Sequence, residues 1–150
     1  MASVVRGAHR PARPVTLPDW RRRPGTATGA MVLGVLSAVS LGPLGALLGF
    51  ASQGFDQPAG AVGGYLAALA AVVVLVGVGL LRGARAWWPL VAGCTVLVAV
   101  VAAWVVHNLS EGDGGELLAL FAVSPLGAAA LGATPEVRVW VGQTRAAGPG

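Results

Sequence analysis

The chain has 150 residues, 55% of them apolar, and a mean hydropathy of +0.74. That excess of apolar residues excludes an ordinary soluble domain of this size. The net charge is +4, with ten arginines and no lysine; because the arginines flank long apolar runs, they read as membrane orientation and attraction to anionic lipid, and nucleic acid is not expected as a partner.

Residues 1–29 place Pro11, Pro14, Pro18 and Pro24 among arginines and small residues. So little apolar surface cannot offset the entropy of ordering, and a disordered cytoplasmic arm is predicted. Trp20 beside Arg21, Arg22 and Arg23 is expected at the lipid headgroups, the ring in the interface and the guanidinium groups near phosphates. A twin-arginine signal is not expected, because Pro24-Gly25-Thr26 follows where an apolar stretch would be needed. Cleavage after Gly49-Phe50-Ala51 is not expected either. A secretory h-region holds about 7–15 residues, and the first apolar run is longer, with Pro43 inside it.

Four apolar runs follow, at 30–51, 59–81, 86–106 and 117–133. The first three hold enough residues to cross a hydrocarbon core of about 30 Å at about 1.5 Å per residue. The fourth is short and contains Pro125, so a helix there needs local thinning of the bilayer or extension at one end. Pro43 and Pro125 are expected to kink their helices, whereas Pro89 falls in a first turn, where proline is tolerated. Pro-Leu-Gly recurs at 43–45 and 125–127, too short a match to establish an internal repeat.

The connections between the runs differ in charge. Arg82 and Arg85 lie between the second and third, and Arg138 and Arg145 follow the fourth. The other two connections carry only acids, Asp56 in one and Glu111, Asp113 and Glu116 in the other. Short arginine-rich loops stay cytoplasmic, so both termini are predicted inside. The aromatic residues agree: Trp87, Trp88 and Trp140 fall at the inner interface, and Phe50, Phe55, Tyr65 and Trp104 near the outer one. In the tail, 134–150, alternation over 136–141 suggests a short extended piece anchored by Trp140. The fold expected is an all-α integral membrane protein of the cell membrane, four transmembrane helices in a compact bundle with both termini cytoplasmic. The absence of lysine and the Ala, Gly, Val and Leu bias look like the proteome of a GC-rich bacterium such as an actinobacterium.

Chemistry-bearing residues are sparse. No Asp, Glu, Lys, Arg or His lies well inside any run, which counts against proton-coupled transport, since intramembrane ionisable groups mark such paths. The four-span plan resembles the small multidrug exporters in outline. Those depend on a glutamate in the first span, and here residues 30–37 read AMVLGVLS. Cys94 is the one cysteine and has no partner for thiol exchange. No HExxH, Gly-x-Ser-x-Gly or phosphate-binding glycine loop occurs, so neither an enzyme nor a cofactor is expected. Residues 107–116 gather three carboxylates and His107, but their spacing matches no Ca²⁺ or Zn²⁺ pattern, and a solvated loop is expected. Asn108-Leu109-Ser110 matches the glycosylation triplet, which arises often by chance.

Small residues four apart share a helix face and let a neighbouring backbone approach in lipid. Ala38 and Gly42, Gly45 and Gly49, Gly60 and Gly64, and Gly64 and Ala68 form such pairs, as helix-packing surfaces or as a groove for a partner. Together with elimination of other chemistry, they suggest a non-catalytic accessory, assembly or regulatory subunit that packs against a membrane-protein partner or against itself. The alternative is a homo-oligomeric channel or carrier for a neutral or weakly polar solute, its path lined by Ser37, Ser40, Thr95 and Ser124. Arg82, Arg85, Trp87, Trp88 and Trp140, with the arginines of the arm, are expected to face the anionic inner leaflet.

Overall fold

The computed structural model describes residues 23–55, 57–111 and 119–147, apart from the side chain of residue 111. Among these residues every regular element is helical: α1 Gly25–Gly54, α2 Pro58–Arg82, α3 Trp88–Glu111, a 3₁₀ turn Leu120–Ala122, α4 Val123–Gly132 and α5 Pro135–Ala146. Three of these helices are long and apolar enough to cross a membrane. A fourth span results if Leu120–Gly132 and Pro135–Ala146, bent by 54° at the break between them, are taken together. At 10 residues α4 alone is about 15 Å long, half of a hydrocarbon core.

Prolines place most of the helix starts. Pro58 and Pro135 open α2 and α5, where the missing N–H has no acceptor to lose. Pro89 falls in the first turn of α3 as expected. Pro125 differs from expectation: it lies in the first turn of α4, directly after the 3₁₀ turn, so it helps start a helix instead of kinking one. Pro43 lies within α1, which is assigned as one continuous helix, and is exposed where Pro125 is buried. The two Pro-Leu-Gly segments therefore occupy unlike settings.

α1 starts at Gly25, ahead of the expected boundary at residue 30, because Ala27 and Ala30 are both 0% exposed in the core and continue the buried face upstream. Residues 1–22 of the expected arm lie outside the described residues. Buried positions on α1 run Ala27, Ala30, Gly34, Ser37, Leu41, Gly45 and Gly49; on α2 they run Ala61, Gly64, Ala67, Ala71, Val74, Gly77 and Leu81. Steps of three and four keep one stripe of each helix facing its neighbours.

Successive long helices run antiparallel, while α5 departs from α4 by a 54° bend. α1 lies antiparallel to α2 and to α4, and α3 packs against α2 and α4 in turn. Between α1 and α2 the backbones nearly touch. A methyl group at Gly64 would strike the Gly49 nitrogen and come within 2.5 Å of the Gly45 oxygen; one at Gly45 would lie 2.8 Å from the Gly64 oxygen. The α2–α3 crossing is similar, with Gly77 facing the Leu90 backbone and Gly93 facing Val74 and the Ala70 oxygen.

Two local features differ from a simple reading of the chain. α2 ends in a Schellman motif: Ala84 N–H donates to the Leu81 oxygen at 2.9 Å and Arg85 N–H to the Leu80 oxygen at 2.8 Å. The left-handed residue of that motif is Ala84, with φ 51°, and not the adjacent Gly83. The segment 136–141, expected to be extended, is helical. Val137, Trp140 and Val141 are the buried set, spaced three and four apart, while Val139 is exposed, so the alternation of valines did not report the packed face. Glu136 in the first turn and Arg145 in the last also complement the helix dipole.

Two outcomes follow from this register. Gly64→Ala is expected to destabilise the protein by about 2 kcal/mol or more, because backbone cannot swing aside as a side chain can. Gly79→Ala, with nothing within 4 Å of the added carbon, is expected to be neutral or stabilising by up to about 1 kcal/mol. Thermal unfolding in one detergent, followed by far-ultraviolet circular dichroism, reads both, and equal responses would contradict the register. Ala84→Val is expected to cost at least about 1 kcal/mol, since a β-branched residue tolerates positive φ poorly; an unchanged melting temperature would exclude the left-handed turn.

Candidate functional site

One end of the helices collects the basic residues. Arg23 precedes α1, Arg82 ends α2, Arg85 lies in the α2–α3 connection, and Arg138 and Arg145 lie on α5. Direct contacts hold these segments together. Arg23 donates from Nη2 to the Arg82 carbonyl at 3.0 Å, and its guanidinium lies 5.9 Å from the centre of the Trp140 ring. The Arg138 guanidinium sits 4.5 Å over the Trp87 ring, within the range of a cation–π contact. Thr26 donates its hydroxyl proton to Glu136 at 3.3 Å, which ties α1 to α5. Trp140 is nearly buried, Trp87 half-buried and Trp88 63% exposed. Trp20, Arg21 and Arg22 lie outside the described residues.

The small-residue pairs are occupied within the chain. Gly45 and Gly49 face Gly64, Ala67, Ala68 and Tyr65 of α2; Gly42 faces Ala71; and Gly60 faces Ser52 of α1. Ala38 is buried in the same core. The groove bearing Gly45 and Gly49 is thus filled by α2, leaving no room there for another chain. Gly77 and Gly93 belong to the same packing system, yet counting small residues four apart misses them. Gly77 has Val73 and Leu81 at those positions, and Gly93 has Pro89 and Leu97. The three-and-four stripe from Ala67 to Leu81 would have found Gly77.

The four hydroxyls considered as a path do not converge. Ser37 is 0% exposed and gives its one proton to the Leu33 carbonyl at 2.7 Å. The 3.1 Å contact between Ser37 and Ser124 is then donated by Ser124, so α1 and α4 share a closed polar pair. Ser40 and Thr95 are exposed and donate to the Leu36 and Val91 carbonyls of their own helices, at 2.7 Å and 2.8 Å. No buried side-chain nitrogen or oxygen lacks a partner among the described residues. Cys94 is buried and free.

At the opposite end an open depression of about 580 Å³ is lined by Ser52, Gln53, Gln57, Pro58, Ala61, Val62 and Tyr65. Its lining offers hydroxyls and amides but no carboxylate, imidazole or thiol among the described residues. Asn108 caps its own helix by donating to the Trp104 carbonyl at 2.8 Å, and Ser110 donates to the His107 carbonyl at 2.6 Å. Residues 112–116 of the acidic loop lie outside the described residues. Among those described, no group of three His, Cys, Asp or Glu side chains stands close enough to hold a metal ion.

These observations define an all-helical chain with three helices long and apolar enough to cross a membrane, or four with the bent pair counted as one span. Comparison with known proteins finds no matching family model, no similar curated protein and no similar solved structure.

The Ser37–Ser124 contact is testable by a double-mutant cycle. Each alanine substitution is expected to cost about 1 kcal/mol, and the coupling is expected near 0.6 kcal/mol, the average for hydrogen bonds between helices in a membrane. Zero coupling would show that the two hydroxyls act independently.

Proposed function

We propose that this is a multi-pass protein of the cell membrane, with four spans and both termini cytoplasmic. It acts as a non-catalytic accessory, assembly or regulatory subunit that packs against another membrane protein. The observation that carries this reading is the outward face of α3, where Ala92, Thr95, Ala99, Ala102 and Ala103 are exposed and Val96 is the one larger side chain exposed among them. Thr95 already satisfies its hydroxyl on the Val91 carbonyl. In lipid, a face built mainly of small residues allows close approach by a second helix, with van der Waals contact as the driving force. The outward faces of α1 and α2 are built instead from Val32, Leu36, Val39 and Leu47, and from Val62, Leu69, Val72 and Val76.

Two further features support the reading. The helices carry no Asp, Glu, Lys, Arg or His at mid-depth, the residue types that proton- or ion-coupled transport uses. The inward placement of the termini is supported by the gathering of arginines at one end of the helices. Ser37 and Ser124 pair with each other while Ser40 and Thr95 face outward, which supports the accessory reading over a path through one chain.

Affinity purification from the native host in mild detergent tests the proposal. A stoichiometric partner is expected, and Ala99→Leu with Ala103→Leu is expected to abolish its co-elution without lowering the melting temperature. Purification as a homo-oligomer with no partner would overturn the accessory role and direct attention to solute flux.

A further inference from the structure

We infer that the basic end of the molecule is a binding site for the phosphate of an anionic phospholipid, assembled when α5 folds back against the starts of α1 and α3. The site draws on four separate parts of the chain. Arg23 is held against the Arg82 carbonyl and near the Trp140 ring, and Arg138 is held over Trp87. Arg85 lies three residues beyond Arg82 in the same turn. The five described arginines lie on segments that carry one described carboxylate, Glu136, and that group accepts a hydrogen bond from Thr26. No carboxylate pairs with any of these arginines among the described residues. Cations brought together without internal neutralisation favour an external anion, and guanidinium groups match phosphate oxygens with two parallel N–H bonds.

The location selects a lipid over a soluble phosphate. The cluster stands at one end of helices of membrane-crossing length, which is where headgroups lie when such helices span a bilayer. Trp88, 63% exposed and next to Trp87, presents an amphipathic ring at that level for the glycerol region and upper acyl chain. Basic pockets at helix ends are a general means of holding lipid phosphates. α5 follows a 54° bend from α4, and in that position its Arg138 lies over Trp87. This site stands whether or not a protein partner exists, and requires only that the helices span a bilayer.

Native mass spectrometry of the full chain in detergent, with equal amounts of phosphatidylglycerol and phosphatidylcholine added, tests it. Phosphatidylglycerol is expected to be retained about tenfold or more over phosphatidylcholine. Arg82→Gln with Arg138→Gln is expected to remove that preference, whereas Arg6→Gln with Arg10→Gln leaves it intact. Equal retention of the two lipids by the unmodified protein would overturn the proposal, even if the double variant failed to fold. An equal loss of preference in the arm variant would also overturn it, by showing attraction to net charge alone. Displacement of the lipid by millimolar inorganic phosphate would assign the site to free anions and overturn its assignment to lipid.

Discussion

Everything in this fold depends on how closely α1 and α2 approach. Lipid chains are as apolar as leucine, so helices in a bilayer gain nothing from hiding apolar surface from water, and their association relies on van der Waals contact. Contact of that kind is strong only where surfaces meet without gaps. Gly45, Gly49 and Gly64 bring the two backbones together closely enough to exclude even a methyl group. Gly77 and Gly93 do the same between α2 and α3. With α2 held on both sides, α4 closes against α1 through the Ser37–Ser124 pair and through Leu33, which lies against Gly127, and against α3 where Gly132 meets Val91. A 10-residue helix too short to cross a membrane alone is thereby fixed in place.

The same constraint sorts the polar groups. The hydroxyls are bonded to carbonyls of their own helices, and one serine pair is shared between helices. Polar chemistry is pushed to the ends. At the basic end it is organised, because α5 turns back and sets guanidinium groups over tryptophan rings. Such contacts use the faces of the rings, and Arg23 in addition donates to the Arg82 carbonyl, so ring stacking and backbone bonding together fix this end.

The helices were legible because each long apolar run must satisfy its own backbone in lipid, and an α-helix is the local way to do so. The expected run at 59–81 lies inside α2, whereas the run at 86–106 starts two residues ahead of α3, which begins at Trp88 and continues past 106 to Glu111. Errors arose where local pattern and tertiary contact compete. The valines at 137, 139 and 141 alternate like a strand, but Pro135 starts a helix and Val137, Trp140 and Val141 bury together. The fourth run, expected over 117–133, ends at the break that follows Gly132, but within it only Val123–Gly132 is α-helix, preceded by the 3₁₀ turn Leu120–Ala122.

Composition and charge placement by themselves determined the class, the approximate helix limits and the collection of arginines at one end. Those properties follow from hydrophobicity and chain reversal, which are additive along the sequence. Only the tertiary structure decided which small-residue faces are consumed inside the molecule and which, like that of α3, remain outside. It also decided that Arg138 meets Trp87 and Arg23 meets Trp140. Residues four apart share a face in any helix, but what that face meets depends on helix rotation and bend, and these are set jointly by all neighbours at contact distance.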